Sequence, residues 1–194
     1  ACLVAIFVNQ RLLEYGGNLA VGAFGIANRV AFIFIMINFG VNQGMQPIAG
    51  YNYGAQNYDR LMRVLKLAMI AGTCITTSGF LVAEFIPHIC VRLFTSDSEL
   101  TELSVNGLRI MMAAMPIVGY QMIVTNFFQS IGKAKISIFL SLSRQLLFLV
   151  PLIGVMPLFF GVNGVWVAMP ISDSFSAIFA LVMMVRYMRV FKKR

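Results

Sequence analysis

The sequence predicts an all-α polytopic membrane protein, and three observations carry that fold class. Of 194 residues, 59% are hydrophobic and 11% charged, with a mean hydropathy of +0.84, far from the composition of a water-soluble domain. The apolar residues gather in long runs that exceed the roughly 20 residues a helix needs to cross about 30 Å of hydrocarbon. Those runs do not alternate: Leu146 to Leu152 and Ile178 to Met184 are continuously apolar, whereas a membrane barrel strand interleaves polar and apolar residues.

Each span follows from its boundaries. The chain opens in ACLVAIFV with no initiating Met and no basic n-region. This reads as a cut inside an apolar element rather than a signal peptide, so 1–13 forms a partial first span. The polar stretch Arg11 to Asn18 closes it, and the second span covers 19–48. Tyr51 to Arg63 separates this from a third span at 64–91, and Arg92 to Glu102 leads to a fourth at 103–131. Gly132 to Lys135 precedes the fifth, 136–160. A sixth span, 162–185, requires a turn around Phe160 to Gly164, where Gly161, Asn163 and Gly164 are turn-formers and the apolar length is too great for one crossing. Pro116 and Pro170 lie well inside their spans, where the missing N–H predicts a bend.

Charge placement sets direction and excludes several functions. Arg60, Arg63, Lys66, Lys133, Lys135, Arg186, Arg189, Lys192, Lys193 and Arg194 fall in one set of alternate breaks and the tail. The opposite set holds Arg11 and Arg92 beside Glu14, Asp97, Glu99 and Glu102. The positive-inside rule then places the C-terminus in the cytoplasm of a multi-pass protein of the cell membrane. The 15 Lys/Arg against 7 Asp/Glu form no stripe, so nucleic acid is not an expected partner. Cys2, Cys74 and Cys90 are isolated and His88 is the sole histidine, which supports neither a metal site nor a catalytic triad. With no phosphate loop or dinucleotide motif either, the chain reads as no enzyme and as needing no cofactor.

Polar residues inside the spans mark the candidate site. The second span carries Asn28, Arg29, Asn38, Asn42, Gln43 and Gln46. Asn38, Asn42 and Gln46 are spaced by four, which aligns three amides on one helical face. An amide without a partner in hydrocarbon costs several kcal/mol, so this face turns to neighbouring helices or to a wet cavity. Two readings stay open. The amides line a transport pathway, or they clamp helices together with Gly40 and Gly44 in small-xxx-small spacing. Gln121, Asn126 and Gln129 form a second polar series in the fourth span with the same two readings. Arg29 and Asp173 fall at similar depth from the outer side, and are expected to pair between helices, directly or through water. A more functional version makes Asp173 a proton or cation site, though a close guanidinium argues against the proton. Arg144 needs a snorkelling path or a carbonyl partner.

The ordered segments GNLAVGAFGIANRV, QGMQPIAGYNYGAQNYDR, FFQSIGKAKIS, SLSRQLLFLVPL and GVNGVWVAMPISD resemble the MATE family of multidrug and toxin extrusion transporters. The resemblance implies an intact protein of twelve helices in two six-helix lobes. This chain would then cover most of the C-terminal lobe, with its first helix truncated and the N-terminal lobe of the same protein as its partner. It further implies alternating access and secondary active efflux of organic cations, drugs or other amphiphilic toxins by Na⁺ or H⁺ antiport, in the bacterial inner membrane among membrane lipids. Gln46, Pro47, Asn52, Tyr53, Gly54 and Ala55 match the family signature at the cytoplasmic end of helix eight, which implies a gating or lobe-positioning loop with Gly50 and Gly54 permitting its turn. The span 103–131 holds no Asp or Glu, so the acidic sodium site of some members is not expected, and the pattern resembles the DinF-like branch. A lipid-linked saccharide flippase and a nontransporting membrane scaffold are the alternatives.

Overall fold

The structure, a computed structural model, describes residues 2–191, and every regular element among them is helical. Lys192, Lys193 and Arg194 of the basic tail, and the side chains of Cys2, Leu3, Arg189, Val190 and Phe191, lie outside the described residues. The first helix, α1, runs Cys2–Gly54 and is broken at Gly17 (φ 64, ψ −164) into arms 2–16 and 18–54. Only glycine enters that backbone region without strain, which is why the predicted break falls there rather than at the charged Arg11 or Glu14.

The second arm continues to Gly54, past the expected end at 48. The QPIAGYNYG stretch is therefore helix, and its reading as a loop turned by Gly50 and Gly54 is corrected. The chain reverses at Ala55 and Gln56, with Gln56 at φ 56. Packing outweighs local composition here. Ala49 and Asn52 are buried, Asn52 Nδ2 donates to the Ile48 carbonyl at 2.8 Å, and a Cβ on Gly50 would lie 3.2 Å from the Ser130 carbonyl oxygen.

Asn57 caps α2, Tyr58–Phe85, accepting from the Arg60 N–H at 3.4 Å. Ile86 (φ −130, ψ 38) separates α2 from α3, Pro87–Arg92, because a residue before proline is driven out of the helical region. The expected third span thus starts earlier and is interrupted near its end. α4, Ser98–Met112, is capped by Asp97, whose Oδ1 accepts from the Glu99 N–H at 2.9 Å. It meets α5, Met115–Ser130, at a 49° bend just ahead of Pro116. The expected bend at Pro116 is present, whereas the helix that carries Pro170 runs through it without interruption.

The fifth span is one rod in three parts: α6 (Ala134–Leu142), a π-helical segment (Ser143–Leu149) and α7 (Val150–Phe160). Gly161 at φ 57 makes the turn into α8, Val162–Phe191. Among the described residues, four helices are long and apolar enough to cross a membrane, or up to five when α4 and α5 count as one bent span.

Three apolar clusters hold the bundle together. One surrounds Trp166, Leu108 and Met112; a second joins Leu61, Leu65, Phe127 and Phe128; a third ties Leu12 of the first arm to Ile153 and Val165. Trp166 fits only because its neighbour is Gly107, where a Cβ would come within 2.5 Å of the indole. Large apolar side chains such as Phe85, Leu93 and Phe159 stand on the outside, 76% exposed or more, an arrangement suited to lipid rather than water.

Candidate functional site

The polar residues of the spans separate into two places. At the first, α1, α2 and α5 cross tightly. A Cβ on Gly119 would collide with Thr76 Oγ1 and sit 2.7 Å from the Gly72 carbonyl oxygen, and one on Gly72 would sit 2.7 Å from Asn38 Oδ1. Asn38 and Asn42 are fully buried at this crossing. Asn38 Nδ2 faces Met122 Sδ at 3.7 Å, and Asn42 Nδ2 donates back to the Asn38 carbonyl at 3.1 Å. Both side-chain oxygens are buried without a hydrogen-bond partner. The close approach is made by Gly72 and Gly119, not by Gly40 and Gly44, which are exposed and have nothing within 4 Å of an added Cβ.

At the second place the helices stand apart. A cleft of about 560 Å³ opens between α5 and the α6–π rod, with Phe39 of α1 along one side. Gln121, Thr125 and Gln129 border it from α5, and Ser137, Ser141 and Gln145 from the rod, each set spaced by four so that one helical face contributes throughout. Asn126 also borders the cleft, accepting from Gln46 Nε2 at 3.2 Å while donating to the Met122 carbonyl at 2.9 Å. Gln121 Nε2 donates to Ser176 Oγ on α8, leaving Gln121 Oε1 without a partner.

Arg144 supplies the charge of the cleft lining. Its Nε donates to Asp173 Oδ1 at 2.6 Å, and the Arg144 carbonyl accepts from Ser172 Oγ at 2.9 Å. The expected Arg29–Asp173 pair is therefore corrected: Asp173 is engaged by Arg144, and Arg29 stands exposed. Equal depth was an insufficient guide, because α8 packs back along the rod that precedes it across the one-residue turn at Gly161, and adjacency decides the partner.

Of the remaining expected site residues, Gln43 is exposed and away from the cleft lining, and Pro47, Gly54 and Ala55 are exposed at the end of α1. Tyr53 is half-buried, its ring 6.4 Å from that of Tyr58. Thr125, Ser137, Ser141, Arg144 and Gln145 were not expected. The four-residue spacing of the two polar rows was a signal for most of them, while the Arg144–Asp173 contact had none beyond consecutive spans.

A profile of the MatE family matches residues 3–153. The chain belongs to that family. It is a family of transporters rather than enzymes, and among the described residues no group of three or more His, Cys, Asp or Glu could hold a metal ion. This MatE chain is 26% identical over 176 residues to the multidrug export protein MepA of Staphylococcus aureus (strain N315), a match covering 91% of the chain and 38% of that protein. It is 38% identical to the MATE multidrug transporter DinF-BH, with a TM-score of 0.84 over 97% of the chain and 42% of the other. An outward-facing multidrug resistance MATE transporter of the MOP superfamily superposes with a TM-score of 0.90 at 22% identity, over 100% of the chain and 44% of that structure. The chain thus spans less than half the length of these relatives.

Proposed function

We propose that this chain is the C-terminal six-helix lobe of a DinF-like MATE transporter, and that the whole protein exports organic cations, drugs or other amphiphiles by Na⁺ or H⁺ antiport. The observation that carries this reading is the cleft of about 560 Å³, bordered by two polar helical faces inside an apolar bundle, in a chain 38% identical to a multidrug transporter. A lipid-facing scaffold has no use for such a hollow, since polar rows in hydrocarbon cost free energy unless paired or wetted.

The six spans are the two arms of α1, then α2 with α3, α4 with α5, the α6–π–α7 rod, and α8. The first arm, 2–16, is shorter than a full crossing. The basic residues near Arg60, Lys133 and Arg186 put the loops they occupy, and the C-terminus, on the cytoplasmic side of the bacterial inner membrane. Pro47, Asn52, Tyr53, Gly54 and Ala55 then sit at the inner end of α1, where a gating or lobe-positioning role fits a helix end rather than a loop. The N-terminal lobe of the same protein supplies the opposite wall of the pathway.

The test uses the full-length protein in inverted membrane vesicles. An amphiphilic dye is expected to accumulate only when an Na⁺ or H⁺ gradient is imposed. Accumulation independent of either gradient, or none across a broad panel of amphiphiles, overturns the reading.

A further inference from the structure

We propose that the cleft of this lobe receives the anionic end of an amphiphile, a carboxylate, sulfonate or phosphate group, and that Arg144 is the residue that recognises it. The inference rests on the export reading above and names the ligand chemistry that this half of the pathway selects.

Only the Nε of Arg144 is engaged, by Asp173 Oδ1 at 2.6 Å. Among the described residues nothing accepts from either Nη. The pair is lopsided in its exposure: the Arg144 side chain is 33% exposed and the Asp173 side chain 12%. Asp173 holds the guanidinium through Nε, the two Nη groups are left for another acceptor, and Arg144 borders the open cleft. A guanidinium held in this way offers parallel N–H donors that match two oxygens of a carboxylate or phosphate.

The surroundings agree in sign. Among the described residues that line the cleft there is no Asp or Glu, so an organic cation entering it meets no carboxylate except one already bound to Arg144. Gln129, Ser137, Ser141 and Gln145 add neutral amide and hydroxyl groups that can donate to the same oxygens. Exposed Lys133 and Lys135 flank Ala134, which lines the cleft, and they extend the positive potential outward. An amphiphile carrying both charges would place its anion here and leave its cation for another part of the pathway.

The experiment compares two dyes on the full-length protein in detergent, a rhodamine with a free carboxylate and its ethyl ester, by fluorescence polarisation. The expected result is tighter binding of the carboxylate by about tenfold, in line with a charge-assisted bidentate contact. Replacing both members of the pair (R144Q with D173N) removes the charge without burying an unpaired ion, and the preference is expected to fall to about one. Arg144→Lys, which keeps the charge but loses the fork, is expected to retain part of it. Equal binding of the two dyes to the native protein, or an unchanged preference in the double variant, overturns the proposal. Added short-chain phosphatidylglycerol identifies the source of the anion. If it displaces the carboxylate dye from the native protein only, a lipid headgroup is an occupant; if it displaces nothing, the anion belongs to the exported solute, and both results support the role of Arg144. Gradient-driven flux is read separately in vesicles, so failure of export is distinguishable from failure of the anion preference.

Discussion

Asn38 and Asn42 lie sealed where α1, α2 and α5 cross, whereas Gln121, Asn126 and Gln129 of the same α5 border a cleft of about 560 Å³. The residue types are the same and α5 takes part in both places. What differs is the neighbour. Gly72 and Gly119 let α2 and α5 close until there is no room for another Cβ, whereas the α6–π rod stands away from α5 and presents its own polar row. An intramembrane amide is therefore a helix clamp or a cavity wall according to the size of the side chains opposite, and not according to its own chemistry.

Solvent access breaks or sharpens this contrast most directly. In a background with the native cysteines replaced by serine, Gln129→Cys and Ser141→Cys are expected to react rapidly with a water-soluble maleimide, and Asn38→Cys and Thr76→Cys not to react in the folded protein. Rapid labelling at Asn38 would erase the distinction between the two regions.

Stability is the next largest effect. Gly119→Val must push against Thr76 and the Gly72 carbonyl, which cannot rotate away, and is expected to cost about 3 kcal/mol. Gly40→Val, with open space around it, is expected to stay within about 0.5 kcal/mol. Thermal unfolding of the full-length protein in detergent compares them, the shift for each kcal/mol becoming smaller as chain length grows. Equal losses would show that the crossing is not where the bundle is tightest.

On the cleft side, Asp173→Ala leaves Arg144 without its anchor. Breaking a fully buried pair costs about 3–5 kcal/mol, but a third of the Arg144 side chain is exposed, so a loss of about 1–3 kcal/mol is expected, with Asp173→Asn losing less because an amide oxygen still accepts from Nε. The smallest effects fall to single amides. Asn38→Ala is expected to cost about 1 kcal/mol, near the size of measured interhelical hydrogen bonds in membranes. Gln129→Ala is expected to be neutral in stability, within about 0.5 kcal/mol, while changing dye affinity.

The legibility of these features in the sequence follows the range of the forces behind them. The helices among the described residues follow apolar length, a local property, and their ends depart from the expected bounds in particular ways. Pro87 ends α2 early through a local steric clash, yet the signature stretch stays helical to Gly54 because Ala49 and Asn52 are buried against other helices. The polar row on α5 was partly visible through Gln121 and Gln129, and its counterpart Ser137, Ser141 and Gln145 had the same spacing but weaker chemistry, hydroxyls being common in membrane helices. Arg29 lies deep in its span yet is exposed, while Arg144 has a partner that only packing names.

Sequence by itself determined that this chain lives in lipid and which of its residues are too polar for hydrocarbon, because transfer free energy acts over a few residues at a time. Tertiary structure alone decided which of those polar residues face one another, which border open space and which cation holds Asp173. Those outcomes depend on the distance between helices, and that distance is set by residues far apart in the chain, such as Gly72 and Gly119, whose effect exists only once the helices have met.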